Sequence, residues 1–308
     1  MFWGKSYHFF KSSNFRFCSY CCFMFCLSFF KMRGSVYWHN FYKLFSFLFV
    51  MDKQELIKKI TQKKEFSKLP KKDVALAFKH FDKDNYLDEE KIKLTRDLLR
   101  KIFSVFTSQK LLSLGDRDAE WILKKHISTR ERLPYYPELY KKLLGGLGRK
   151  IIIFDLGAGV NGFSYKFLQE INKNFCYIGI EAIGQLVDLV NYHFKTRGVE
   201  NCHALHLSLF ELDKIKKYIK QVKEKKIVFL FKTLDSLEML QKDYSKELLN
   251  EIAPLVDRVV VSFATRSLVA RRKFRVNRDW FINFIKNKFE ITNDFELGSE
   301  RYVIFKKR

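Results

Sequence analysis

The chain has 308 residues and a formal net charge of +24, from 58 Lys and Arg against 34 Asp and Glu. This length accommodates one substantial α/β domain and a smaller one. The basic excess points to an anionic partner, nucleic acid or a membrane surface, with a lysine-rich proteome as the alternative source. Of the six cysteines, Cys18, Cys21, Cys22 and Cys26 crowd one segment while Cys176 and Cys202 stand apart. That is not a disulfide framework, and without a paired two-plus-two spacing it offers no metal site.

Residues 1–50 are dense in Phe, Tyr and Cys. They carry Lys5, Lys11, Arg16, Lys31, Arg33 and Lys43 and no acid. The apolar core at 17–30 is shorter than the roughly 20 residues of a membrane span. As a signal-peptide core it would need a small-residue cleavage site, and Lys31-Met32-Arg33 follows instead. The favoured reading places this stretch outside the working protein, with Met51 as the native start of an amphipathic helix. A hydrophobic membrane-tethering tail is the runner-up, and a membrane partner is expected only in that case.

Residues 51–148 read as a helical domain. Leu56, Ile57 and Ile60 mark one apolar face, Val74, Phe78 and Phe81 a second, and Leu94, Leu98, Ile102 and Val105 a third. Between Met51 and Lys150 there are 25 basic and 15 acidic residues, a net of +10. Such a module suits RNA docking, as well as a solvated lysine face. Asp82-Lys83-Asp84-Asn85-Tyr86-Leu87 begins like a calcium loop. However, Tyr86 and Leu87 stand where a ligand and a turn glycine are required, so it reads as a loop entering a helix. In His126-Ile127-Ser128-Thr129-Arg130-Glu131-Arg132, Ser128 or Thr129 is expected to cap a short helix. An arginine from this segment could grip a carboxylate through its fork; a surface salt-bridge cluster is the alternative.

From 149 to the end, strands and helices alternate. Strands are expected at 151–154, 175–180, 204–207, 227–231 and 256–263, and a closing antiparallel pair at 289–295 and 302–305. Helices are expected at 163–171, 182–195, 213–222 and 280–286. This order implies a mostly parallel sheet with right-handed crossovers. Ligands bind such sheets outside the C-terminal strand ends, where Asp155, Glu181, Ser208 and Lys232 all fall. Asp155-Leu156-Gly157-Ala158-Gly159 is a strand end with a tight glycine turn, close enough to admit a ligand to the backbone. It lacks the third glycine of a dinucleotide fingerprint. Glu181, roughly 25 residues on, is placed to accept hydrogen bonds from ribose hydroxyls; a helix N-terminal acid is the alternative. Beyond the fifth strand lies a basic loop with Arg266, Arg271, Arg272, Lys273 and Arg275, suited to phosphates; an ordinary exposed basic loop is the alternative.

The Asp-x-Gly-x-Gly spacing resembles the first motif of class I S-adenosylmethionine-dependent methyltransferases. The whole of 51–308 resembles the aminoglycoside-resistance small-subunit rRNA (guanine-N7) methyltransferases. The residues carrying that likeness are His126-x-Ser128-Thr129-x-Glu131-Arg132, Asp155-x-Gly157-x-Gly159-x-Asn161, Lys232-x-Leu234-x-x-Leu237-Glu238 and Ser262-Phe263-Ala264-Thr265-Arg266-Ser267-Leu268.

The resemblance implies a Rossmann-like α/β methyltransferase domain (149–308) behind a helical RNA-docking domain (51–148). It implies S-adenosyl-L-methionine as cofactor and the small ribosomal subunit or its rRNA as partner, with no stable protein partner and a cytoplasmic setting. Arg132 would pair with the cofactor carboxylate, while Asp155, Gly157, Ala158 and Gly159 hold the methionine. Glu181 and Ala182 would lie at the ribose, Ser208 and Leu209 would border the adenine, and Lys232 would complete the cofactor set. Glu300 would lie near the target base.

The chain departs from the family pattern at Gly162, where proline is usual. It departs again at Ser208, where an acid is common, and at Val269-Ala270-Arg271, where two glycines precede the arginine. A methyltransferase acting on another RNA, and a non-catalytic S-adenosylmethionine- and RNA-binding protein, remain as alternatives.

Overall fold

The computed structural model describes residues 51–104, 108–112, 115–148, 150–266 and 278–308. The readings of 1–50, and of Arg271, Arg272, Lys273 and Arg275, fall outside them, as does Val105.

From Lys53 to Leu144 the regular elements are all helical: α1 (Lys53–Thr61), α2 (Lys71–Lys79), α3 (Asp88–Leu99), α4 (Ala119–Lys125), α5 (Ile127–Arg132) and α6 (Tyr136–Leu144). The loop before α3 ends at Leu87, whose N–H donates to Glu90 Oε2 at 3.1 Å. This satisfies one of the donors a helix start leaves open. Leu56 and Ile60 are buried on α1, and Val74 and Phe78 on α2. The third face differs from expectation. The buried stripe of α3 is Ile92, Thr95 and Leu99, continuing to Ile102 in a π-helical turn (Arg100–Ser104), while Leu94 and Leu98 are only half-buried. Thr95 can join this stripe because its hydroxyl donates to Lys91 O.

The sheet follows: β1 (Ile151–Leu156), α7 (Tyr165–Ile171), β2 (Phe175–Glu181), α8 (Gly184–Thr196), β3 (Cys202–His206), α9 (Leu212–Lys220), β4 (Lys225–Phe231), α10 (Leu234–Leu240), α11 (Tyr244–Ile252), β5 (Arg258–Ala264), α12 (Asp279–Lys288), β6 (Phe289–Leu297) and β7 (Glu300–Lys307). Helices α10 and α11 are not among those expected from the sequence. The strand order is β3-β2-β1-β4-β5-β7-β6. Strands β1 to β5 pair in parallel, and β7 is antiparallel to β5 and β6. All six residues of β1 are buried, as befits a strand covered on both faces. The edge strand β6 is largely exposed and carries a register shift at Ile291/Asn293, which discourages edge-to-edge pairing.

The chain runs outward from β1 through β2 to β3, then returns to lay β4 on the other side of β1. That reversal opens a crevice at the C-terminal ends of β1 and β4. The helical segment walls it. Gly184 N–H donates to Lys68 O at 3.2 Å, and a Cβ on Gly184 would lie 2.8 Å from Lys68 Cβ. Lys72 Nζ caps Phe210 O, and His80 Nε2 lies 2.9 Å from Leu240 O. Residues 51–308 form one contact unit.

Candidate active site

One cavity occupies the crevice. It is lined by Arg132, Asp155, Gly157, Ala158, Gly159, Glu181, Ala182, Leu209 and Lys232, and also by Asp73, His126, Asn161, Phe231 and Thr233. Nine of the ten residues expected to bind cofactor therefore share a single space.

The turn after β1 is built on positive φ, +77° at Gly157 and +54° at Gly159, a region L side chains rarely enter. Its closeness is as demanding as its torsion. A Cβ on Gly157 would lie 2.6 Å from Thr233 Oγ1, and one on Gly159 would lie 3.1 Å from His126 Nε2. Thr233 is itself pinned, its hydroxyl donating to Leu156 O at 3.1 Å. At Gly162, a Cβ would meet Phe194 Cζ and Val190 Cγ1 at 3.0 Å. The packing of α8 explains the departure from proline there.

Asp155 is 1 % exposed. Its Oδ2 accepts from Asn161 Nδ2 and from the Tyr177 hydroxyl, both at 2.7 Å. Burial pushes this carboxyl up and those two donors pull it back. Asn161 Oδ1 in turn accepts from Tyr136 (2.7 Å) and from Arg132 Nη1 (3.2 Å). Arg132 is 3 % exposed. Its Nε donates to Glu300 Oε2 at 3.1 Å, its Nη2 donates to Ser128 Oγ, and its guanidinium lies 4.7 Å from the Phe231 ring centre. These bonds take one donor from each nitrogen, and the Tyr136 hydroxyl also interacts with the guanidinium. A guanidinium has five donors, so N–H capacity remains for a ligand carboxylate.

Two expectations at α5 are revised. Neither Ser128 nor Thr129 caps the helix; His126 holds the N-cap position. Ser128 instead orients Arg132, and Thr129 bonds back to Leu123 O at 2.7 Å and His126 O at 3.1 Å. The Thr129 hydroxyl thereby covers carbonyls where α4 ends, acceptors that a helix C-terminus leaves open. Nor are the charges of this segment a surface cluster, because Arg132 points inward and Glu131 pairs with Lys232.

Lys232 closes β4 in the left-handed region, at φ +57°. The strained backbone is fixed by Lys232 N–H donating to Ser262 O (3.2 Å) and Ser262 Oγ (3.1 Å). Its Nζ stands 3.3 Å from Glu300 Oε2. Glu300 is 1 % exposed. It accepts from Arg132 and Ser262, and it is not part of the cavity lining. Burial alone would raise its pKa, but Arg132 and Lys232 outweigh it and hold it below the usual range. Glu300 thus anchors two cations. Burial drives His126 to about 3, assisted by Arg132 and Lys232, so it is neutral at physiological pH.

At the other end of the cavity Glu181 is 7 % exposed. Its oxygens accept from Gly159 N–H (2.7 Å) and Ile183 N–H (2.8 Å), leaving lone pairs for hydroxyl donors. Ser208 does not reach the cavity. It is fully buried, and its hydroxyl donates to Asp73 Oδ1 at 2.8 Å. The polar group at this wall is Asp73 itself, supplied by α2. Its only sequence signal is that of an acid in a first helical turn, which gives no hint of a site. Arg266 is exposed at the end of β5, away from the cavity lining. Among the described residues no His, Cys, Asp and Glu cluster could hold a metal ion, and no helix is long and apolar enough to cross a membrane.

The donors and acceptors fit S-adenosylmethionine: the Arg132 guanidinium suits its carboxylate, the glycine turn lines the cavity with backbone, and the Glu181 carboxylate suits its ribose hydroxyls. Together with the sheet order they define a class I S-adenosylmethionine-dependent methyltransferase fold. The ribosomal RNA methyltransferase (FmrO) family pattern matches residues 97–287, and the chain belongs to that family. It is 23% identical over 187 residues to a 16S rRNA (guanine(1405)-N(7))-methyltransferase of Proteus mirabilis, covering 59% of this chain and 63% of that protein. It is 26% identical over 149 residues to the enzyme of that name from Micromonospora rosea, covering 48% and 50% respectively. The matches thus span less than two thirds of these relatives. Among solved structures, the 16S rRNA methyltransferase RmtF, in complex with S-adenosyl-L-homocysteine, superposes at a TM-score of 0.67. It has 22% identity and covers 84% of this chain and all of that one.

Proposed function

We propose that this chain is an S-adenosylmethionine-dependent rRNA methyltransferase that modifies guanine N7 in the decoding region of the small ribosomal subunit. The observation that carries the reading is the shared cavity, where the Arg132 fork and the Glu181 carboxylate face one crevice from its two ends. S-adenosylmethionine supplies an electrophilic methyl group on a sulfonium.

Arg132, steadied by Glu300, Asn161 and Ser128, fixes the carboxylate end. Asp155 acts through Asn161, and Glu181 receives the ribose hydroxyls. Lys232 is a positioning residue beside Arg132, tied to it through Glu300. Guanine N7 has a lone pair and no proton, so its attack needs no general base. The site suits that chemistry. Asp155 and Glu181 already accept hydrogen bonds, His126 is far too weak a base to take up a proton near neutrality, and Asp73 stands beside Glu181, where the ribose and adenine would lie. Transfer then depends on positioning, with the base flipped out of the helix. Arg266, exposed beyond β5, would meet RNA phosphates, and residues 51–148 would act as the docking module. Ribosomes of strains making the enzyme would resist aminoglycosides that bind the decoding site.

The test uses protein starting at Met51, small subunits from an aminoglycoside-sensitive bacterium and methyl-labelled S-adenosylmethionine, followed by borohydride–aniline cleavage. A single cut in the decoding region is expected. Label without a cut would move the target atom or the RNA. Cofactor binding without label would favour a non-catalytic binding protein.

A further inference from the structure

Asp73 is 2 % exposed and lines the cavity beside Glu181 and Leu209. Its carboxylate is locked from one side. Phe210 N–H donates to Ser208 Oγ at 3.0 Å, which commits the Ser208 hydroxyl proton to Asp73 Oδ1 at 2.8 Å. Asp73 Oδ2 is buried without a hydrogen-bond partner. A buried acceptor left unsatisfied costs free energy, and such groups recur where a ligand completes them. The cavity wall around it is apolar, formed by Ile183, Leu186, Leu209 and Phe210. A flat heteroaromatic ring fits such a wall, and the single acceptor at its edge calls for one N–H donor.

We propose that Asp73 Oδ2 accepts a hydrogen bond from the exocyclic 6-amino group of the cofactor's adenine, so that helix α2 supplies the residue that reads the base. This rests on the cofactor reading above. The adenine-selecting group then comes from the helical segment, 135 residues away from Ser208 in sequence, and not from the end of β3.

The carboxyl is raised to about 7, chiefly by burial, with Glu181 and Glu211 adding to the rise and Ser208 and Lys72 opposing it. Tyr244 is the other titratable group that feels its charge. An amine donor stabilises the carboxylate, so adenine binding should expel a proton from Asp73 near neutral pH.

The experiment is calorimetry on protein starting at Met51. The ligands are S-adenosylhomocysteine and its 6-deamino analogue, which carries hydrogen in place of the amine. Wild type should bind the analogue about ten- to a hundredfold more weakly. Asp73→Ala should bind S-adenosylhomocysteine more weakly and bring the ratio between the two ligands close to one. Asp73→Asn, which keeps an acceptor without the charge, should give an intermediate ratio. The ratio compares two ligands on one protein, so general destabilisation does not shift it. Equal affinities in wild type overturn the proposal even if the variants do not fold, and an unchanged ratio in Asp73→Ala also overturns it. Failure of wild type to bind S-adenosylhomocysteine at all would overturn the cofactor reading and this proposal together. Good binding without discrimination would overturn this proposal alone.

Discussion

Around Arg132, donors go to Glu300, Asn161 and Ser128, and Glu300 is shared with Lys232. Around Asp73, one carboxylate oxygen is held by Ser208 and the other has no hydrogen-bond partner. Both ends of the crevice bury charge at a few per cent exposure, yet they are prepared differently. The first is a closed network of opposite charges, in which each ion's desolvation is repaid within the protein. The second leaves a carboxyl uncompensated, and its pKa climbs to about 7. A network of the first kind fixes geometry before the ligand arrives. A site of the second kind gains its last hydrogen bond only when the ligand supplies it.

The largest test breaks the closed network. Glu300→Gln leaves Arg132 and Lys232 buried without their shared anion and should cost about 3–5 kcal/mol of stability, read by denaturant unfolding. It should also weaken S-adenosylhomocysteine binding, because Arg132 loses its anchor. Unchanged affinity with slowed turnover would place Glu300 at the target base instead. Gly157→Ala disturbs the turn between the two ends. With φ at +77° and Thr233 Oγ1 2.6 Å from the new Cβ, it should cost about 1–3 kcal/mol and lower cofactor affinity in calorimetry.

The third test isolates the open end. A carboxyl whose folded pKa is raised from 3.8 to about 7 holds its proton in the folded state across that window while the unfolded state has lost it. Its contribution favours folding at low pH and is lost as pH rises through about 7. Between pH 5 and 7, wild type without ligand should therefore lose ~1–3 kcal/mol relative to Asp73→Asn. Parallel curves would show that Asp73 is not uncompensated. The smallest effect belongs outside both ends. Lys124→Ala removes an exposed i,i+4 pair with Glu120 and should change stability by less than about 0.5 kcal/mol and leave binding alone.

The closed end was largely legible in the sequence. Asp155, Gly157 and Gly159 follow a run of apolar residues, and their spacing carries the turn. Arg132 stood out because local rules left its charge unexplained. Glu300 was found, but its pairing with Arg132 and Lys232 was not, since nothing along β7 announces that the two cations converge on it. The open end was not legible at Asp73. Helix α2 was read by its apolar face, and an acid in a first turn has a local use that hides any other. Ser208 was rightly placed at a strand end, but a serine's partner across 135 residues has no local trace. Helices α10 and α11 do carry an apolar helical period, at Leu234, Leu237 and Leu240 and at Tyr244, Leu248, Leu249 and Ile252, but α10 begins with only Lys232 and Thr233 between it and β4, inside the stretch that carries the Lys232 motif. On α3 the stripe was misjudged because Thr95, a polar residue, takes a core position.

The backbone contact between Gly184 and Lys68 makes the stretch leading to α2 one wall of the crevice. Any ligand that draws α2 inward or outward works against the same wall as the cofactor. The two binding free energies are then linked, and linkage is reciprocal: the factor by which such a ligand changes cofactor affinity equals the factor by which cofactor changes the affinity for that ligand.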